Sequence, residues 1–258
     1  MCHVCANPLD ALLHRRAVLA GLGALGLAAC ATNPETGRSQ LILVDDAQMG
    51  QLAIEAWAQQ LQRTPRWNNP AAQQRLERIG RRIAAGANRP NEAWEFVLFD
   101  RPDLNAFVLP GGKVGFYRGL WELAQGDDEI ATVLGHEVGH VTGRHAAERY
   151  SREVAQQSAL RAAGAVTNSQ VALAALGLGA TVGLSLPFSR DQESEADRLG
   201  INYMHAAGFA PRAAISFWTR MQAQRGARPP QFLSTHPDPA NRVAALDAYI
   251  TERGWGPA

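Results

Sequence analysis

Cysteine is scarce in this sequence, and its three occurrences, Cys2, Cys5 and Cys30, all fall near the start. A disulfide framework is therefore excluded for nearly the whole chain. Basic excess is absent as well: 25 Lys and Arg stand against 24 Asp and Glu, almost all of the positive charge being arginine. A nucleic-acid partner would require a clustered basic footprint, and none is present. No internal repeat and no long low-complexity run occurs, which excludes solenoids and tandem arrays. What remains is a chain of 258 residues with an ordinary apolar fraction, long enough for one large core or two small ones.

The N-terminus carries the first positive signal. Arg15-Arg16 precede an apolar run from Ala17 to Ala29, and Cys30 closes it. A basic region, a short apolar region and small residues at a boundary make an export signal rather than a membrane span. Leu27-Ala28-Ala29-Cys30 resembles a bacterial lipobox, so residues 1–29 are expected to be a lipoprotein-type signal peptide and Cys30 the acylated residue. Arg15-Arg16 with Val18-Leu19 resembles a twin-arginine signal and is also compatible with ordinary export. Cys2 and Cys5 would leave with the leader, and the rest of the chain would be formally neutral. Anchoring would then rest on acyl chains, of which a stable anchor needs more than one. Ala31 follows Cys30 where an Asp would signal inner-membrane retention, so the expected location is the periplasmic face of the outer membrane.

Residues 30–44, with Asn33-Pro34 and Thr36-Gly37, are expected as a lipidated tether, and residues 45–258 as the catalytic domain. Leu52, Trp57 and Leu61 recur at helical spacing in a helix over 45–63, stopped by Pro65. A second helix is predicted from about Pro70 to Ala87, with Leu76, Ile79 and Ile83 on one face. The period then changes to three strands: 94–99, 104–109 and 114–117, with Pro110-Gly111-Gly112 as the turn between the last two. Helices follow at about 118–124, 128–162, 170–183, 190–207, 211–225 and 239–252, the last opened by Asp238-Pro239. The predicted class is α+β, mostly helical, with a small sheet of three to four strands.

The chemistry centres on His136-Glu137-Val138-Gly139-His140, preceded by the apolar run Ile130 to Leu134. Helical positions four apart lie about 40° from each other around the axis, so both imidazoles project from one face and can share an ion. Buried histidines and a glutamate in an apolar helix need a reason to be there. Zinc would lower the pKa of a bound water to around 7 and polarise a scissile carbonyl, and Glu137 is placed as general base to take that water's proton and pass it to the leaving amine. Two histidines do not complete such a site, because a catalytic zinc usually keeps three protein ligands. Glu193, in Glu193-Ser194-Glu195-Ala196-Asp197, is the expected third. Asp197, one turn on, is placed to hydrogen-bond a ligand histidine. Glu195 lies about 200° around the helix from Glu193 and should point away. His145 would lie about 180° from His136 on a continuous helix, so it is read as structural or surface.

Together, His136-Glu137-x-x-His140, Glu193-x-x-Ala196-Asp197 and Thr235-His236-Pro237 with Arg242 resemble the HtpX-like zinc metallopeptidases, a family that also holds the Oma-type and CAAX prenyl-protease-type enzymes (metallopeptidase family forty-eight). Asn33-Pro34 to Thr36-Gly37 with Leu41-Ile42-Leu43 resembles the start of its bacterial periplasmic lipoprotein branch. Asn105-Ala106-Phe107 and Leu109-Pro110-Gly111-Gly112 match it too. The resemblance covers most of residues 33–245. It implies a gluzincin fold with the sheet beside the HExxH helix, one Zn2+ per chain, Glu193 rather than Glu195 as ligand, and proteolysis of unfolded or misassembled envelope proteins in a quality-control role, with the outer-membrane assembly machinery as a further partner.

Three more expectations follow. Asn105, Ala106 and Phe107 should belong to an edge strand beside the cleft, where an extended substrate adds as a strand. His236 either reaches the zinc or the developing oxyanion, or fills the open zinc position and holds the enzyme latent, while Arg242 supports the active-site wall. The Ala- and Gly-rich run Val171 to Phe188 reaches transmembrane length, but a single crossing would separate Glu193 from His136, so it is read as a buried or interfacial hairpin over the cleft. The competing reading of the whole chain is a chaperone-like envelope lipoprotein with a vestigial metal site.

Overall fold

The computed structural model describes residues 30–162, 187–224, 230–237 and 241–256. The leader expected at 1–29, residues 171–186 of the apolar run, and Asp238-Pro239 lie outside the described residues.

The described residues open with a hairpin, in the segment expected as a tether. Strands β1 (Cys30–Thr32) and β2 (Ser39–Leu41) pair antiparallel, Thr32 opposite Ser39. Asn33 and Gln40 are buried, and both side-chain amides donate to the carbonyl of Gly143, at 2.8 and 2.6 Å. A segment this polar would stay solvated as a linker; it is ordered here because a distant backbone carbonyl needs its donors.

Helix α1 (Asp46–Arg63) starts at Asp45, whose carboxylate accepts from the Gln48 amide, and α2 (Pro70–Gly86) starts at Asn69, which accepts from Ala72, with proline in its first turn. Leu76, Ile79 and Ile83 of α2 are fully buried. They rest on a three-stranded sheet of β3 (Glu95–Phe99), β4 (Ala106–Leu109) and β5 (Lys113–Tyr117), ordered β3-β5-β4. β5 is parallel to β3 and antiparallel to β4, with Phe107 opposite Gly115. Gly111 and Gly112 both take positive φ in the β4–β5 turn, where other residues would be strained.

A short α3 (Arg118–Leu123) leads to α4 (Asp127–Thr142), which carries the HExxH sequence and whose Ile130, Ala131, Val133, Leu134 and Val138 are buried. The helix predicted over 128–162 is broken. α4 ends at Gly143, Arg144 takes φ +54°, and α5 (His145–Ala162) sets off anew. α6 (Arg190–Ala206) opens with a capping box between Ser189 and Gln192. Then come α7 (Ala213–Ala223), the five-residue α8 (Gln231–Thr235) and α9 (Arg242–Glu252). α9 follows Asn241, which takes φ +68°. Among the described residues no helix is long and apolar enough to cross a membrane.

The contact between α4 and α6 fixes the site. A Cβ on Gly135 would meet the Gly200 carbonyl oxygen at 2.9 Å, and one on Gly139 would meet that of Ala196 at 2.7 Å. The two helices thus touch backbone to backbone through glycines four apart on one of them, closer than side chains would allow.

Candidate metal centre

That close crossing brings four groups to one point. His136 and His140 project from α4, Glu193 from α6, and His236 from the residue that ends α8; all four are buried, and one ligand atom from each lies within 4.8 Å of the others. His140 Nε2 lies 3.0 Å from His136 Nε2. Glu193 Oε2 is 3.3 Å from His136 Nε2, and Glu193 Oε1 is 3.4 Å from His140 Nε2. His236 Nδ1 lies 3.2 Å from His136 Nε2 and 3.0 Å from Glu193 Oε1. Donors around a tetrahedral ion with bonds of ~2.0–2.1 Å are ~3.3 Å apart, close to these separations. Three imidazole nitrogens and a carboxylate are a donor set suited to zinc.

The outer side of each ring is occupied. His136 Nδ1 is 2.9 Å from Asp197 Oδ1, and His140 Nδ1 is 2.8 Å from His145 Nδ1. The two Nε2 atoms are left facing each other, a contact that only a proton or a cation between them relieves. The electrostatics favour positive charge there. Burial pushes His136 down, but the Glu193 and Asp197 carboxylates outweigh it and hold the ring up at about 9. Burial holds His140 well below the usual imidazole range. Glu193 is held well below the usual carboxylate range: burial would raise it, but His236 and His136 prevail.

Arg242 ties the carboxylates together. Fully buried, it donates from Nε to Asp197 Oδ2 and from Nη2 to Glu193 Oε2, both at 2.7 Å, and its guanidinium lies 4.0 Å over the Trp218 ring. Glu137 is held differently from the other carboxylates. It is completely buried, neither carboxylate oxygen has a hydrogen-bond partner among the described residues, and burial raises its pKa. A buried acceptor without donors is costly unless it has a task. His236 Nε2 lies 3.6 Å from its Oε1.

The structure thus brings His136, Glu137, His140, Glu193, Asp197, His236 and Arg242 together. Glu195 points away, toward Arg38. One reading needs correction, and one is narrowed. His145 is not on a continuation of α4: the turn at Gly143 and Arg144 swings its fully buried ring back against His140. Of Asn105, Ala106 and Phe107, only Ala106 turns its backbone outward. Asn105 gives its carbonyl to the Tyr117 amide of β5, so alternation turns 105, 107 and 109 toward β5, and Ala106 and Val108 away from it, where both are buried.

Of the walls, sequence reasoning reached only Phe188, as the end of the run expected over the cleft, and missed Arg149 and Phe232. Phe188 stacks on His140 at 3.6 Å between ring centroids, and the Arg149 guanidinium lies 3.6 Å over the far side of that system, against the Phe188 ring. Phe232 stacks on His236 at 4.0 Å. No motif marks Arg149 or Phe232. A cleft of about 480 Å3 reaches His140 and Phe188 and is lined also by Met49, Val108, Pro110 and Gly111.

Comparison with known proteins agrees with this geometry. The profile of Peptidase family M48 matches residues 70–250. The chain is 37% identical over 181 residues to the mitochondrial metalloendopeptidase OMA1 of Schizosaccharomyces pombe, covering 69% of this chain and 52% of the relative. It is 32% identical over 229 residues to the beta-barrel assembly-enhancing protease of Escherichia coli, covering 83% of this chain and 46% of the relative. The Saccharomyces cerevisiae OMA1 is 36% identical over 165 residues, 61% of this chain and 47% of the relative. The chain spans about half the length of these curated relatives. With the profile covering both the HExxH helix and the helix of Glu193, the chain belongs to Peptidase family M48.

Proposed function

We propose that this chain is a zinc-dependent endopeptidase of the bacterial envelope, anchored by acyl chains on Cys30 at the periplasmic face of the outer membrane, and that it degrades misfolded or misassembled envelope proteins. The observation that carries the hydrolytic part is the convergence of His136, His140 and Glu193 beside a buried Glu137 whose carboxylate oxygens have no hydrogen-bond partner among the described residues. The envelope role is supported by likeness to a relative named a beta-barrel assembly-enhancing protease, which also makes the outer-membrane assembly machinery a candidate partner.

His136, His140 and Glu193 would hold the zinc. When bound, it supplies Lewis acidity toward a carbonyl and a water. Glu137 accepts the proton of the attacking water, its raised basicity suiting it to the task, and returns it to the nitrogen of the departing amine. Asp197 and Arg242 fix the orientation of His136 and Glu193. An extended substrate would pair along the outer side of β4 beside Val108, which lines the largely apolar cleft.

Glu137→Gln tests the reaction: zinc stays bound and cleavage of an unfolded protein substrate is lost, whereas unchanged cleavage removes Glu137 from the chemistry. Cys30→Ser tests the anchor, since the variant should leave the membrane fraction. A metal-free folded protein that still captures unfolded clients would instead support the chaperone-like reading, with Zn2+ content after chelator-free purification as the deciding measurement.

A further inference from the structure

The two zinc-facing rings are held from behind by different devices. His136 leans directly on a carboxylate, Asp197, which is clamped by Arg242. His140 leans on a second imidazole. His145 Nε2 lies 3.1 Å from Glu195 Oε2, and the same oxygen accepts from Arg38 Nε at 2.7 Å. Arg38 is fixed at its other end by Glu148, which accepts from both of its Nη atoms at 2.9 and 2.7 Å and from Gln192 at 2.9 Å. Each ligand histidine thus ends in a carboxylate of α6 backed by an arginine from a remote part of the chain.

The hydrogen-bond order along the second chain has one consistent direction. A carboxylate held by an arginine only accepts, so His145 Nε2 carries the hydrogen and His145 Nδ1 is bare. His140 Nδ1 must then donate to it, which leaves His140 Nε2 bare and aimed at the other metal donors. The space for this is specific. A Cβ on Gly143 would sit 2.5 Å from His145 Nε2, and the Gly143 carbonyl is held by the hairpin side chains Asn33 and Gln40.

We propose that His145 is a positioning residue of the metal centre: a relay imidazole, anchored by Glu195 and by Arg38 of the N-terminal hairpin, that fixes the tautomer and aim of His140. This rests on the zinc reading above and extends it to residues that touch neither ion nor substrate. A buried ring that merely filled the core would have no need of an ionic terminus, and any aromatic of similar size would replace it.

The test is the zinc dissociation constant of the full chain, measured by competition with a chromogenic chelator, alongside the melting temperature of the metal-free protein. His145→Phe keeps the volume and removes the acceptor; its zinc affinity should fall about 10–100-fold, the usual loss when a ligand's outer partner is removed. His145→Gln, whose amide oxygen can accept from His140 Nδ1, should recover part of it. Arg38→Gln and Glu195→Gln, farther from the ion and less prone to misfold, should each weaken zinc, and adding either to His145→Phe should cost nothing more. A folded His145→Phe protein with wild-type zinc affinity, or full additivity with Glu195→Gln, overturns the proposal. Asp197→Asn is the reference: if it weakens zinc while His145→Phe does not, only the relay fails, and if the wild type holds no zinc, the zinc reading fails with it.

Discussion

Gly139 faces the backbone of Ala196 with no room for a methyl group, a Cβ there coming within 2.7 Å of the Ala196 carbonyl oxygen. The ligand pair on α4 and the ligand on α6 meet because of this contact. Gly139→Ala should therefore act against helix propensity. Alanine gains roughly 0.5–1 kcal/mol over glycine inside a helix, but overpacking against backbone costs typically about 1–3 kcal/mol. The expected result is a lower melting temperature and a loss of activity on the order of 100-fold, since displacements of about 1 Å at a catalytic group have that effect. Gly50→Ala in α1, where nothing lies within 4 Å of the added methyl, is the control and should stabilise. Circular dichroism melts and peptide hydrolysis decide it.

Arg242 balances the Glu193 and Asp197 carboxylates from inside the core. Arg242→Met leaves both without it, and stranding buried charge costs about 3–5 kcal/mol. A divalent cation would offset part of that. The loss of stability should accordingly be larger in chelator than in zinc. Equal losses in the two conditions would mean that the carboxylates do not face an ion.

Acid should unfold the metal-free protein partly through Glu195. Burial would raise this carboxyl, but hydrogen bonds from His145, Thr36 and Arg38 outweigh it and hold it at about 2, below an ordinary value of 4.5. A depressed folded-state pKa contributes stability that is complete above about pH 4.5 and fades as pH falls toward 2. Glu195→Gln should lower stability at neutral pH and flatten its decline through that window, as read from melting temperature against pH.

His236 sits where a fourth donor would, 3.0 Å from Glu193 and 3.2 Å from His136. If that placement keeps the enzyme latent, His236→Ala raises the hydrolysis rate on a short peptide while weakening zinc. A group that stabilises the oxyanion behaves oppositely, its removal costing roughly 10²–10³-fold in rate. Initial rates at saturating zinc separate the two.

The site was largely legible because helical spacing is a local rule. His136 and His140 share a face whatever the rest of the chain does, and Glu193 and Asp197 do likewise one turn apart. The break after Thr142 was not legible. A single glycine in a periodic run is cheap, and Arg144 at φ +54° carries no sequence mark. Missing that break put His145 on the wrong side. The hairpin of residues 30–44 was hidden for a related reason: Asn33, Arg38 and Gln40 look solvated until Gly143, Glu148 and Glu195 are brought to them from more than 100 residues away. The outward alternation of Ala106 and Val108 likewise depends on register, which the Tyr117–Asn105 bond sets.

Cys30 is already paired within the hairpin, opposite Leu41. An enzyme acylated at that residue would have no slack between lipid and folded body. It would work as if bolted to the bilayer, its reach limited to chains that emerge within a protein's width of the surface, and lengthening the link by a flexible insert before Ala31 should broaden what it cuts.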